Sequence, residues 1–251
     1  MPYSLTSLAF SLRIAALSFG GGIAVLLLAS LFHPGDAPAH VSHLAFAEYA
    51  QSAAWTDAHV GQFLGILLIL LGFAGLRERL RTDAPLAAAL STPAMMAAVA
   101  TLSVAAVLQA VDGPALRHVV VAWHDAPAAA SDPALRVAEA VRWIEIGLNS
   151  YLRILLGLTL ALFGAALATS RLFPRWLGWL GLAGGAGSAL QGLYVGHFGF
   201  DASVIPAIAL PSLVYFAWFM AMAVILWRDG VQMARGAGPS AAGDAFLAVG
   251  E

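Results

Sequence analysis

Apolar stretches of about 20 residues alternate along the chain with short polar segments. A helix of that length matches the hydrocarbon core of a bilayer, which is about 30 Å thick. The pattern therefore predicts an all-α, polytopic membrane helical bundle, a single domain over residues 1–235 with a disordered cytoplasmic tail at residues 236–251. The predicted transmembrane helices are six and cover residues 8–32, 60–76, 93–111, 148–170, 177–195 and 206–227.

The fourth span belongs to a longer helix. Asp132 suits an N-cap and Pro133 the first helical position, so we predict one helix over residues 132–170. About 38 helical residues measure roughly 57 Å, nearly twice the hydrocarbon thickness. We therefore expect the first half of this helix to extend outside the membrane. The Asp112-Gly113-Pro114 sequence, in contrast, predicts an interruption after the third span.

The first half of the long helix carries polar residues on one face, and they are Glu139, Arg142, Glu145, Asn149 and Arg153. Arg153 lies about one turn inside the expected bilayer boundary, where a charge must snorkel, pair or face water. Two interpretations remain open. Either i,i+3 ion pairs line a solvated helix extension and Arg153 reaches outward, or this face is the polar wall of a site in one leaflet.

The basic residues predict the orientation. All 12 are arginines, and a six-span layout places eight of them on the side of the termini. The positive-inside rule makes that side cytoplasmic, so we expect a multi-pass protein of the bacterial inner membrane with both termini in the cytoplasm. The absence of lysine excludes a retinal Schiff base, and a net charge of −2 argues against binding to nucleic acid.

Polar residues within the spans concentrate in the outer third. A candidate polar pocket there is formed by the polar face of the long helix together with His59, Gln62, Gln109, Gln191, Tyr194 and His197. The inner halves of the spans carry almost no group that binds an ion. A channel or proton pump needs polar groups along its whole path, so the pattern indicates a one-sided pocket rather than a pore.

Catalytic chemistry is weakly indicated. Glu139 or Glu145 is suited to general acid or base work, with Arg142 or Arg153 holding an anionic head group. No nucleophile elbow, phosphate loop or metal-binding motif accompanies them, so whether the protein is an enzyme stays open. The histidines lack ligand spacing, so we predict no metal site and leave any cofactor unknown.

Two short motifs resemble a known family. The sequence WTDAHVGQ at residues 55–62 leads into a leucine-rich span that closes at Leu76-Arg77, and FPRWLGWLG follows at residues 173–181. Both are similar to segments of an uncharacterised family of bacterial six-span integral membrane proteins, a domain of unknown function. The resemblance implies the six-span layout with a long external segment before span four, and it implies no activity.

Four functional hypotheses follow. The first is a sensor, accessory or assembly-partner protein with a polar pocket or face in the outer leaflet. The second is a membrane enzyme or binder acting on an amphipathic or lipid-like substrate at that leaflet, the third a small-solute transporter, and the fourth a metal or haem protein. The expected partners are the lipid bilayer, a lipid-like ligand in the outer leaflet, and a second copy or another membrane protein.

Overall fold

A computed structural model describes residues 5–201 and 204–236. Over these residues the chain is helical and contains no strand. The α-helices are α1 (Leu5–Ser30), α2 (Ser42–Gln51), α3 (Trp55–Leu80), α4 (Pro85–Ala110), α5 (Leu116–His124), α6 (Ala128–Ala168), α7 (Arg175–Phe198) and α8 (Val204–Gly236). The tail predicted to be disordered lies outside the described residues beyond Gly236.

Five helical runs of the described chain are long and apolar enough to cross a membrane, namely Thr6–Ser30, Trp55–Leu80, Pro85–His124, Ala128–Ala168 and Ala209–Gly236. Helix α7 is not among them, because its seven glycines dilute the hydropathy of its 24 residues. The prediction of an all-α, multi-pass membrane bundle is therefore confirmed. A sixth span remains a prediction.

The helices pack around a core of apolar side chains. Helix α6 packs mainly against α7 and α4, and α1 packs against α3 and α8. Aromatic rings fill the core, where Phe73 stacks on Phe163 at 4.6 Å and on Trp218 at 5.9 Å. The indole Nε1 of Trp218 donates to the carbonyl of Leu177 at 2.9 Å, so this buried ring has a partner for its polar atom.

Helices α6 and α7 approach closely enough that several of their glycines touch backbone. A Cβ at Gly157 would lie 2.6 Å from the carbonyl oxygen of Gly185 and 2.7 Å from the amide of Ala189. Further along, a Cβ at Gly178 would meet Ala168, and one at Gly192 would meet the carbonyl of Ser150. The two helices therefore run antiparallel in contact from one end of the bundle to the other.

Helix α6 begins earlier than the sequence pattern predicts. It starts at Ala128 after Pro127, which has an extended ψ of 152°, and Pro133 lies inside the helix. The alanines at 128–130 have the highest helix propensity, so the helix extends back to the residue where proline geometry stops it. Asp132 is thus a helical residue and not the cap.

The predicted interruption after the third span is a π-helical turn at Val111–Ala115. Helix α4 passes through this turn into α5, and the run Pro85–His124 is continuous over 40 residues. The wider turn accommodates Pro114, which has no N–H to donate and would clash with the carbonyl four residues earlier in an α-helix. Helix α4 itself starts at Pro85 and carries Pro93 inside it.

Candidate functional site

A cluster of rings lies at the end of the bundle that carries α2 and α5. Tyr49 packs on Trp55 with ring centroids 4.3 Å apart, and Trp55 packs on His59 at 4.5 Å. His33, just after α1, lies 5.2 Å from the ring of His59. The α1–α2 segment and helices α2 and α3 therefore converge on one small volume.

The π-helical turn is tied to this cluster through Trp55. Its indole Nε1 donates to the carbonyl oxygens of Asp112 and Gly113, both at 2.9 Å. A Cβ at Gly113 would lie 3.0 Å from the Cβ of His59, so only glycine lets the turn approach this closely. A fully buried tryptophan of α3 thus holds the π turn through two of its backbone carbonyls.

His59 is held between α3 and the π turn. Its Nδ1 donates to the carbonyl of Trp55 at 2.7 Å, and its Nε2 lies 3.1 Å from Oδ2 of Asp112. That second approach lacks hydrogen-bond geometry, and Oδ1 of Asp112 also has no partner in the described part of the chain. The imidazole is 1% exposed and the Asp112 side chain 15% exposed, so the aspartate is the member of the pair that reaches the surface.

Arg142 is surrounded by partners. Its Nη1 lies 2.8 Å from Oε2 of Glu145, and its Nη2 donates to the hydroxyl of Tyr49 at 3.4 Å. The guanidinium also faces the rings of Tyr49 and Phe200, at 5.5 and 4.9 Å. Glu145 is 2% exposed and lies near Asp112 as well, so Arg142 is the cation that compensates a pair of neighbouring acids.

Burial controls the protonation of two groups in the loop and in α2. Burial first, and then repulsion from His59, lower the pKa of His33, so its ring is uncharged at neutral pH. Burial raises the pKa of Tyr49, so its phenol stays protonated. Both groups can therefore act as neutral hydrogen-bonding partners around the Arg142–Glu145 pair.

Two adjoining cavities open beside these residues. The polar cavity, about 690 Å³, is lined by Ser30, Tyr49, Gln62, Asp112, Arg142, Glu145, Asn149, Phe200 and the segment from His33 to Ala39. The apolar cavity, about 190 Å³, is lined by Leu26, Ile66, Ile69, Leu70, Thr101, Asn149, Leu152, Arg153, Leu156, Tyr215, Phe216 and Phe219. Asn149 belongs to both walls, so the two cavities lie on either side of this residue.

Arg153 lines the apolar cavity at the level of Asn149. Its Nε donates to Oδ1 of Asn149 at 2.7 Å, and its Nη1 donates to Oε1 of Gln191 at 3.2 Å. It also interacts with the hydroxyl of Tyr215. These partners are all neutral, and no carboxylate of the described residues lies within ion-pair distance of this guanidinium.

The remaining residues of the predicted pocket lie elsewhere. Gln62 reaches the mouth of the polar cavity, where its Nε2 donates to Oγ of Ser30 at 3.3 Å. Glu139 lines a neighbouring cavity of about 360 Å³ rather than pairing with Arg142. Gln109 has a buried Oε1 with no hydrogen-bond partner among the described groups. His197 is exposed, and the hydroxyl of Tyr194 donates to Asp201 at 3.3 Å, so neither lines these cavities.

Sequence reasoning missed four residues of the site, and they are His33, Tyr49, Trp55 and Asp112. The i,i+4 spacing of Trp55 and His59 and an acid inside the apolar run at Asp112 were the available signals. No three His, Asp or Glu side chains within residues 5–201 and 204–236 are arranged to hold a metal ion.

Comparison with known proteins gives one match. The model of a family described as a domain of unknown function, DUF4386, matches residues 14–228. No curated protein and no solved structure matches the chain.

Proposed function

Since the chain belongs to the DUF4386 family, a domain of unknown function, we propose an activity from its own residues: it binds an amphipathic molecule drawn from the outer leaflet of the bacterial inner membrane. The observation that carries the proposal is the junction at Asn149. There a large cavity lined by charged and polar side chains and a smaller apolar cavity share one wall residue. A molecule with a polar head and an apolar tail matches such a pair of cavities.

The volumes suit this kind of occupant. An apolar cavity of about 150 Å³ holds a molecule the size of benzene, and the apolar cavity here has about 190 Å³. It therefore takes one short chain or the first part of a longer one. The polar cavity has about 690 Å³, room for a head group with bound water.

The proposal includes a six-span topology in which α7 crosses the membrane beside α6. The contacts of Gly178 with Ala168 and of Gly192 with Ser150 support it, because they keep α7 alongside the apolar half of α6 throughout. With six spans, eight of the 12 arginines share the side of both termini, which makes that side cytoplasmic. The two cavities then open toward the outer leaflet.

A binding role is favoured over catalysis because Arg142, the cation nearest the acids, is already engaged by Glu145 and by two aromatic rings. Binding of this kind suits the sensor or accessory role, since Tyr49 of α2 lines the polar cavity and this helix can transmit its occupation to a partner. Catalysis is the second candidate, and the neighbouring buried acids Asp112 and Glu145 favour it. An Asp112→Asn variant separates the two. If the wild type converts the bound molecule, we expect the variant to lose this conversion and to keep binding. If the protein is only a binder, neither the wild type nor the variant converts the molecule.

Photolabelling tests the proposal. The full chain is reconstituted in lipid nanodiscs with monodecanoylglycerol that carries a diazirine in its acyl chain, and the adducts are mapped after irradiation. We expect adducts at residues of the apolar cavity, and we expect Leu156→Trp, which fills that cavity, to remove them. Leu158→Trp is the matched control, because Leu158 lies on the same helix and is 48% exposed. Adducts spread over the outer faces of the bundle, equal in both variants, would contradict the proposal.

A further inference from the structure

The two arginines of the site differ in whether an anionic side chain of the protein pairs with them. Arg142 has a carboxylate partner at 2.8 Å and two facing rings. Among the described residues Arg153 has only neutral partners, which are the side-chain oxygens of Asn149 and Gln191 and the hydroxyl of Tyr215, although it lies inside the bundle. A guanidinium stays protonated at any physiological pH, so the charge of Arg153 cannot be removed to relieve its burial.

The surroundings of Arg153 are built to keep it in place. Gln191, which accepts from Arg153, donates in turn to Ser212 at 3.2 Å, and Tyr215 donates to the same serine at 2.9 Å. The hydroxyl of Ser188 donates to the backbone carbonyl of Arg153 at 2.8 Å. Helices α6, α7 and α8 thus hold one cation against the wall of the apolar cavity, and the chain supplies no anion for it within ion-pair distance among its described residues.

From this we infer that the occupant of the two cavities is an amphiphile with a single acid group, which binds Arg153 at the Asn149 junction while its chain fills the apolar cavity. The inference rests on the proposed function and names its ligand class. A planar guanidinium offers parallel N–H donors to the two oxygens of a carboxylate or a phosphate monoester. An anion there compensates a charge that is costly inside a membrane bundle.

The acid group of the ligand binds at Arg153 and not at Arg142. An acid beside Arg142 would lie next to Glu145 and near Asp112, and it would have to displace an existing ion pair. Arg153 has no carboxylate within ion-pair distance among the described residues, and its partner Asn149 lines both cavities. Electrostatics therefore orient the molecule with its acid at the junction and its chain toward Phe216 and Phe219.

Competition against the photolabel tests the head group. Decanoate, decyl phosphate, decanol and decyltrimethylammonium are compared at equal mole fraction in the nanodisc, since they share one chain length. We expect at least one of the two acids to displace the label at a roughly ten-fold lower mole fraction than decanol, because a hydrogen-bonded charge pair contributes more than a neutral one. The better of the two identifies the acid as a carboxylate or a phosphate.

Variants of α6 provide the second arm. We expect Arg153→Gln to abolish the preference for acids and Arg153→Lys to retain part of it, whereas Arg136→Gln, at an exposed position of the same helix, leaves it unchanged. The wild-type comparison of head groups needs no variant and remains decisive if Arg153→Gln does not fold. Decanol competing as well as both acids, or an acid preference that survives Arg153→Gln, overturns the inference and leaves cavity binding intact. Cavity adducts that no decyl compound displaces, or no cavity adducts at all, overturn the proposed function itself.

Discussion

Glu145 shows how a charged residue is accommodated inside this bundle. The helical wheel alone places Glu145 on the same face as Arg142 and Asn149, and the spacing of three residues predicts its ion pair with Arg142. The structure contains that pair, at 2.8 Å. It could not be read from the sequence that Tyr49 and Asp112 complete the surroundings, because they come from segments about 100 and 30 residues away with no periodic relation to α6.

Replacing Arg142 tests how strongly the fold depends on a counter-ion for the buried Glu145. We expect Arg142→Gln to destabilise the protein by about 3–5 kcal/mol, because it leaves Glu145 buried next to Asp112 without a counter-ion. The double variant Arg142→Gln/Glu145→Gln should recover a large part of the loss. Thermal unfolding in detergent measures both, as a double-mutant cycle. Equal losses in the single and double variants would show that the ion pair is not what the arginine contributes.

Trp55 offers a second test of a single residue. We expect Trp55→Phe to lower the free energy of unfolding by about 1–3 kcal/mol, since the carbonyls of Asp112 and Gly113 lose their buried donor. Trp179→Phe is the control, because Trp179 is 64% exposed. Similar melting temperatures for the two variants would mean that the π-helical turn does not depend on the indole N–H.

At the scale of elements, the sequence predicted which segments are helical better than how they join. Six long apolar helices were expected. Each predicted span lies on one observed helix and extends past the end of that helix by at most two residues, although several of the helices begin well before the predicted span. The joints were less predictable. Proline was taken as a boundary signal at Pro114 and Pro133, and both lie within helical runs. Packing against neighbouring helices outweighs the local cost of proline in a membrane bundle.

The contact between α6 and α7 can be tested by glycine substitution. We expect Gly157→Ala to destabilise the bundle by about 1–3 kcal/mol, because its methyl group would overlap the backbone of Gly185 and Ala189. Gly147→Ala on the same helix meets nothing within 4 Å, so it should be neutral or stabilising through helix propensity. Urea or detergent-induced unfolding compares the two. A larger loss at Gly147 would contradict the close approach.

Two connections at the opposite end of the bundle are joined by Asp83. It accepts a hydrogen bond from Ser170 and others from the amides of Ala84 and Arg171, at 2.6 and 3.0 Å. Burial alone would raise the pKa of Asp83, but these hydrogen bonds more than offset that effect and hold the pKa below its ordinary value. The α3–α4 connection is thereby fastened to the one between α6 and α7.

The lowered pKa of Asp83 predicts a dependence on pH. A carboxylate with a depressed pKa in the folded state stabilises the fold above its unfolded pKa, about 3.9, and loses this contribution as the pH falls through its folded pKa. We therefore expect Asp83→Asn to melt below the wild type at neutral pH and the gap to close in acid. Asp57→Asn, at an exposed carboxylate, should show a smaller gap. A gap at Asp83 that stays constant down to strong acid would exclude the carboxylate charge as its source.

At the scale of the whole molecule, the number of membrane crossings depends on whether α7 crosses the membrane. If α7 crosses the membrane, residues 82 and 235 share a side and residue 129 lies on the other. The chain contains no cysteine, so Thr82→Cys, Ala129→Cys and Arg235→Cys each introduce a single reporter at an exposed position. With an impermeant maleimide added to intact cells, we expect labelling of Ala129→Cys alone. Labelling of Arg235→Cys together with Ala129→Cys would mean five crossings.

Composition and periodicity were sufficient for the class of protein because a bilayer requires helices of one length. They were insufficient for the site, which depends on contacts between α6 and residues of α2, α3, α7 and the π-helical turn. The polar depth pattern still selected Asn149, Arg153 and Gln191, which the structure brings together. It also selected His197, which is exposed, because depth along a span does not tell which way a helix face turns.

The aromatic core of the bundle forms part of the wall of the apolar cavity. Phe219 lines that cavity and also stacks on Phe19, with ring centroids 5.6 Å apart, so its ring belongs both to the cavity wall and to the packed aromatic core. If the proposed amphiphile binds with its chain in this cavity, we expect the packed rings to limit how far the chain extends. The ring that stabilises the fold would then also select the length of the tail.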